Sequence, residues 1–436
     1  MAAISGLWAR EVLDSRGIPA IECTAWLDNG GVVATSVPSG TSIGQYEALE
    51  LRDNDPQRYD GLGVLKAVEI INTQIAPRLV GQDPTEQAKI DQFLIELDGT
   101  ENKKNLGANT TLAVSQAVLK AGAFSMGKPL YFYLKQLYQL TDYLSIPTGV
   151  YTLVSGGEHG AENLDIQEFQ VIPASFIEFD KSLEMATNLF HQLERVLITK
   201  KVTHSVGILG GFTPTLYSNT DVFELLTETI KTSRYVLAQD LFFGIDASAQ
   251  SFFTGNKYLL RDKGGGYKAD ELLKYYKQIR DLYRVFYIED PFREKDQKHW
   301  AALMEDLGSR VRIISDSLTA TNLKRTQEAT EKKLANTLVI KPNQVGTISE
   351  TVEVIKLARS ANWQIVVSHR SGETNDDFIA DFAVGVGADY MKFGPPNRGE
   401  RVSKYNRLLM IFHELKQAQN SSQTTQTQST STANNS

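Results

Sequence analysis

The chain has 436 residues, of which 42% are hydrophobic and 22% charged, with a net charge of −7, a balance that excludes chain-wide disorder and leaves no basic surface for nucleic acid. A single cysteine, Cys23, excludes an internal disulfide or a cysteine-based zinc site, and no apolar run reaches the ~20 residues of a membrane helix. Charge begins too early in MAAISGLWAREVLDSRG for the apolar core of a secretion signal, so a reducing, cytoplasmic setting is expected.

In chain order, the stretch IECTAWLDNGGVVATSV alternates apolar and polar residues on either side of an Asn-Gly pair, the signature of a β-hairpin. Helical patterns follow in GVLKAVEIINTQIAPRL and TLAVSQAVLKAGAFSM. Strands followed by helices, without strict alternation, predict an α+β unit over residues 1–138. Inside it, VPSGTSIGQYE is a Gly/Ser loop carrying Ser39 and Ser42, of a kind able to close over a site.

From about Thr148 the rhythm changes. Short apolar runs recur, each ending on a polar group: Asp246, Glu289, Asp316, Lys341, His369 and Lys392, at intervals of 43, 27, 25, 28 and 23 residues. Helical segments such as ADELLKYYKQIRDLYRVF fill the intervals, which is the beat of a (β/α) barrel, expected over residues 139–416. Residues 417–436 are almost wholly Gln, Asn, Ser, Thr and Ala and are expected to be a disordered tail.

Active sites of such barrels lie at the C-terminal ends of the strands, where these polar residues fall. Each of them could instead merely cap the following helix. Taken together, Asp246, Glu289 and Asp316 are expected to converge in the barrel mouth, and three carboxylates confined there need a cation. Oxygen ligands without cysteine point to a hard divalent ion, Mg²⁺ first. Lys341 and Lys392 sit on strand ends, and a lysine set among other cations loses proton affinity, which suits one of them to act as a base; a plain salt bridge is the alternative. Arg370 and Ser371 offer a fork and a hydroxyl to a phosphate or carboxylate. The segment SGGEHGAENLDIQEFQ reads as a loop contributing His159, Gln167 and Glu168.

The motifs AREVLDSRG, VPSGTSIGQYEALELRD, LDGTENKKNLGAN, GGEHGAENLDIQEF, YIEDPF, IKPNQVGT, SHRSGETNDDFIAD and ERVSKYN resemble the enolase family over about Ile4 to Leu415. The resemblance implies an N-terminal α+β domain capping an eight-stranded barrel, a homodimer or larger homo-oligomer, and the glycolytic dehydration of 2-phosphoglycerate to phosphoenolpyruvate. Carried over by position, it implies that Asp246, Glu289 and Asp316 hold one Mg²⁺ and that Ser39 helps hold a second. Lys341 matches the base that removes the C2 proton. His159, Gln167, Glu168, His369, Arg370, Ser371 and Lys392 match substrate-binding positions. Removing a proton beside a carboxylate builds an ene-diolate, which concentrated positive charge stabilises.

One motif departs. The family reads VGDEGGF where this chain reads VGILGGF, so Ile208 and Leu209 replace an Asp-Glu pair, and the lost Glu is the group that helps the C3 hydroxide leave. Leu209 can neither give nor take a proton. Ser317, Gln250-Ser251, Phe393, Gly399 and TLVSGGEH also differ from the family pattern. The expectation is a slow Mg²⁺-dependent enolase in which Glu168 or His159, with a water, acts as the acid. A non-catalytic enolase-like binder of metal and a phosphorylated acid, serving as sensor or scaffold, is the competing reading. A third keeps proton abstraction by Lys341 but applies it to another carboxylate.

Overall fold

The computed structural model describes residues 2–40, 44–160 and 163–433, the last twelve of these as backbone only. Strands β1 (Ile4–Leu13), β2 (Pro19–Leu27) and β3 (Val32–Ser36) form an antiparallel meander. The expected hairpin joins the last two, with Gly30 at φ +85° taking the left-handed turn position. The helix Ala108–Ser125 packs on β2 and β3 and is buried on nearly every side, which its run of Ala, Val, Thr and Ser permits by leaving room for close approach. The helical pattern from Leu65 to Leu79 forms as one continuous helix with a wider π turn at Ile71–Ile75, in which Asn72 bonds the backbone of Ala9 in both directions, at 2.7 and 3.0 Å.

The second sheet comprises β4 (Thr148–Gly149), β5 (Tyr151–Ser155), β6 (Glu168–Pro173), β7 (Leu241–Asp246), then, after a small hairpin β8 (Phe253–Thr254) and β9 (Lys257–Tyr258), β10 (Val285–Glu289), β11 (Arg312–Ser315), β12 (Thr337–Ile340), β13 (Gln364–Ser368) and β14 (Tyr390–Lys392). Its order is β4-β14-β13-β12-β11-β10-β7-β6-β5, and β4 and β5 are separated only by Val150. The sheet therefore closes on itself as a barrel of eight strands, with Thr148–Ser155 as one bent strand.

The barrel is not uniformly parallel. β6 runs antiparallel to both β5 and β7, opposite to the simple strand-helix repeat that the spacing suggests. Its first residue, Glu168, pairs with Asp246, the last residue of β7. Reversal thus brings the start of β6 to the same mouth as the ends of the other strands.

Side chains alternate across a strand, so every second residue enters the barrel. Val150, Ile172, Tyr287, Ile314, Val339, Val366 and Tyr390 form one apolar layer inside it. Two residues further toward the mouth stand Glu289, Asp316, Lys341, Ser368 and Lys392. Gly244 occupies the corresponding inner position of β7, where a Cβ would stand only 2.9 Å from Ile172 Cδ1 and 3.0 Å from Gln170 Oε1. The apolar layer seals the barrel and holds the charged layer at its mouth.

The last helix spans Gly399–Ala433 and so runs into the Gln/Ser/Thr-rich segment. Extending a helix already anchored by buried Tyr405, Leu408 and Ile411 avoids the cost of a new nucleus. Among the described residues, no helix is long and apolar enough to cross a membrane.

Candidate active site

A cavity of about 490 Å³ opens at the barrel mouth. His159, Gln167, Glu168, Asp246, Asp316, Lys341, His369, Arg370, Ser371 and Lys392 all line it, which brings ten of the twelve expected site residues to one wall. Glu289 lies just beneath, fully buried under Lys392. Ser39 is the exception. Its hydroxyl donates to Asp14 Oδ2 at 3.1 Å and accepts from Arg16 at 2.7 Å, while its backbone bridges to Gly372, so it faces a network behind the His369–Ser371 turn instead of the cavity. Ser42 lies outside the described residues.

The floor of the cavity is a charge lattice. Lys392 Nζ donates to both Glu289 oxygens, at 2.7 and 2.8 Å, and to Asp246 Oδ2 at 3.1 Å. Tyr287 adds a 2.9 Å bond to Glu289 and Ser248 a 2.9 Å bond to Asp246. Across the floor, Lys341 binds Asp316, whose other oxygen accepts from Gln344 at 3.2 Å. Asp290, buried behind them, accepts the backbone N–H groups of Asp316 and Ser317 at 3.0 and 2.9 Å.

These contacts separate the two lysines. Burial alone would disfavour the Lys392 ammonium, but Asp246, Glu289 and Glu168 hold it well above the ordinary lysine range. Lys392 is therefore held as a cation by three carboxylates, whereas Lys341 pairs with Asp316 alone.

The carboxylates outnumber these cations. Burial, with Asp246 next in weight, drives Glu289 well above the ordinary carboxyl range, and burial with Asp316 and Asp246 pushes Asp290 up to about 7. An all-oxygen donor set with surplus negative charge fits a hard divalent cation in kind. The expected convergence of Asp246, Glu289 and Asp316 is not drawn in, however. Among the described residues no three such groups surround a common point, because the Lys392 ammonium stands between Asp246 and Glu289 and the Lys341 ammonium on Asp316.

Glu168 accepts from Thr152 Oγ1 at 2.7 Å and Gln170 Nε2 at 3.0 Å. Burial would raise its carboxyl, yet Lys392 and His159 hold it well below the ordinary range. Held ionised in this arrangement, it presents acceptor oxygens to the cavity. His159 Nδ1 stands 3.5 Å from Glu168 Oε1, and Gln167 3.5 Å from the other ring nitrogen.

Arg370 pairs with Glu47 at 2.9 Å, both nearly buried. The His369–Ser371 turn is held from behind by Arg401, which donates to the carbonyls of Arg370 and Ser371. Glu47, Gln344, Asp290 and Arg401 all escaped the reading of strand ends, since they lie on turns or a helix where no alternation marks them.

Leu209 sits in a tight turn closed by the Gly210 N–H to the Gly207 carbonyl at 3.0 Å, with Gly210 at φ +102°. Pairing of Phe212 with Leu153 and Ser155 fixes that turn at the mouth. The Leu209 side chain is 1% exposed, lines the cavity and joins neither apolar core. Of the other departures, Gln250, Ser251 and Ser317 also line the cavity, while Phe393 is wholly buried away from it.

Residues 4–134 match the family described as "Enolase, N-terminal domain" and residues 143–429 that described as "Enolase, C-terminal TIM barrel domain". The chain is 41% identical over 412 residues to an enolase of Ehrlichia canis, covering 94% of this chain and 96% of the relative. It is likewise 41% identical over 408 residues to an enolase of Ehrlichia chaffeensis, with the same coverage.

Proposed function

The chain belongs to the enolase family, and on that footing we propose that it is a lyase converting 2-phosphoglycerate to phosphoenolpyruvate, slowed at the departure of hydroxide. Lys341, paired on the cavity floor with Asp316 alone, takes the C2 proton on Nζ. Lys392, fixed as a cation, faces the substrate carboxylate, and Arg370 and Ser371 take the phosphate. Asp246, Glu289 and Asp316 would hold Mg²⁺, with Ser39 as a candidate for a second ion only if its hydroxyl leaves Asp14 and Arg16. Bound there, the metal supplies positive charge for the anion that grows on the substrate carboxylate. His159, backed by ionised Glu168, is left to pass a proton through water to the leaving hydroxide.

Leu209 is the observation that carries the slow step. An apolar side chain lines the wall where the family places a proton donor, and losing a general acid costs ~10²–10⁴ in rate. The same residue favours the competing reading, an enolase-like binder without turnover. An absorbance assay at 240 nm separates them: slow phosphoenolpyruvate formation by the native chain, rising ~10²-fold or more in Leu209→Glu, supports the slow lyase. Equal rates in the two chains would overturn the role given to Leu209, and no product from either would favour the binder.

We also place the domain boundary near residue 138 and the protein in the cytoplasm, where the buried thiol of Cys23 stays reduced. A homodimer or larger assembly is supported by Trp8 and Trp26, which stand exposed on adjacent strands of the meander.

A further inference from the structure

Arg401, near the start of the helix Gly399–Ala433, is fully buried. Its Nη1 stands 2.8 Å from His369 Nδ1 and also donates to the Arg370 carbonyl at 2.7 Å; its Nη2 donates to the Ser371 carbonyl at 2.8 Å. A guanidinium carries five N–H donors and no acceptor, so its contact with a ring nitrogen requires that nitrogen to present a lone pair. In a neutral imidazole the proton then resides on Nε2. An imidazolium would instead aim an N–H at a cation that is itself all donors. Gly394 closes the same edge of the ring, where a Cβ would stand 2.8 Å from His369 Cε1 and 3.3 Å from Nδ1. Among the described residues, no side chain or backbone group bonds Nε2, and His369 lines the cavity.

We propose that Arg401 is a positioning residue that fixes His369 as a neutral ring with its proton on Nε2, so that the ring meets an anionic substrate oxygen as a hydrogen-bond donor. The identity of that oxygen rests on the substrate reading above; the state of the ring does not. With the Nδ1 lone pair already engaged and Nε2 protonated, His369 has no nitrogen left to act as a base.

Nitrogen-15 NMR of the full-length, ligand-free protein tests this directly, with His369→Gln assigning the resonance among the six histidines. Near neutral pH the ring is expected to show unprotonated Nδ1 and protonated Nε2. An imidazolium, or a ring protonated on Nδ1, would overturn the proposal whether or not any variant folds. In Arg401→Met the tautomers are expected to mix and the KM for 2-phosphoglycerate to rise roughly tenfold with kcat less affected, and Arg401→Lys should restore part of the native signature. A raised KM with an unchanged tautomer would assign Arg401 a structural role only and contradict the positioning claim. Adding 2-phosphoglycerate should move the Nε2 resonance; a native tautomer that ignores the ligand would count against the substrate reading alone.

Discussion

The Lys392 ammonium bonds both carboxylate oxygens of Glu289, at 2.7 and 2.8 Å, with neither side chain more than 3% exposed. Removing one partner of a buried pair leaves the other charge without compensation, at a cost of ~3–5 kcal/mol. Lys392→Met is therefore expected to lose stability on that scale in urea unfolding, and adding Glu289→Gln to it should recover a large part. A double variant no more stable than the single one would show that the pair is not the source of the loss.

Lys120 on the Ala108–Ser125 helix reaches Asp376 at 2.9 Å, and Asp376 also accepts the backbone N–H groups of Ser36 and Phe378, so one carboxylate ties the meander and its helix to the barrel. Burial would raise that carboxyl, but Lys120 and these N–H groups hold it below its ordinary 3.8. A carboxyl lowered on folding stabilises fully above its unfolded value and loses that contribution as pH falls through the folded one. Asp376→Asn should thus cost ~1–3 kcal/mol at neutral pH, with the gap to the native chain closing below about pH 4. A gap that stays constant down to pH 2 would refute the ionic origin.

Leu209 is as buried as Leu153, which belongs to the main apolar core. A core Leu→Ala change costs ~2–5 kcal/mol, and Leu153→Ala is expected within that range. Leu209→Ala, whose side chain faces the cavity, should cost less than ~1.5 kcal/mol in the same denaturation experiment. Equal losses would mean that Leu209 is a packing residue and that its wall is not a reaction surface.

Much of the site was legible because a strand pleat has a strict period of two: once the apolar runs are recognised as barrel strands, Asp246, Glu289, Asp316, Lys341 and Lys392 fall at the mouth by alternation and position. The direction of β6 was not legible, since IQEFQVIP reads the same whichever way it crosses the sheet; only pairing of Glu168 with Asp246 and Ser155 reveals it. Arg401 and Lys404 in ERVSKYN read as ordinary helix charges, yet both are fully buried because they bond the carbonyls of the turn that carries His369–Ser371 and of Thr374 beyond it. Ser39 matched a ligand position by motif, but a motif does not say which way a hydroxyl turns, and here Arg16 and Asp14 engage it.

Exchange of the C2 hydrogen of 2-phosphoglycerate with solvent deuterium, followed by proton NMR in magnesium chloride, tests the central claim most directly, because it needs Lys341 but no departing hydroxide. The account predicts deuterium at C2 faster than phosphoenolpyruvate appears, and none in Lys341→Ala. A native chain that binds the substrate yet leaves C2 unexchanged, or a Lys341→Ala chain that exchanges as fast as the native one, would contradict it.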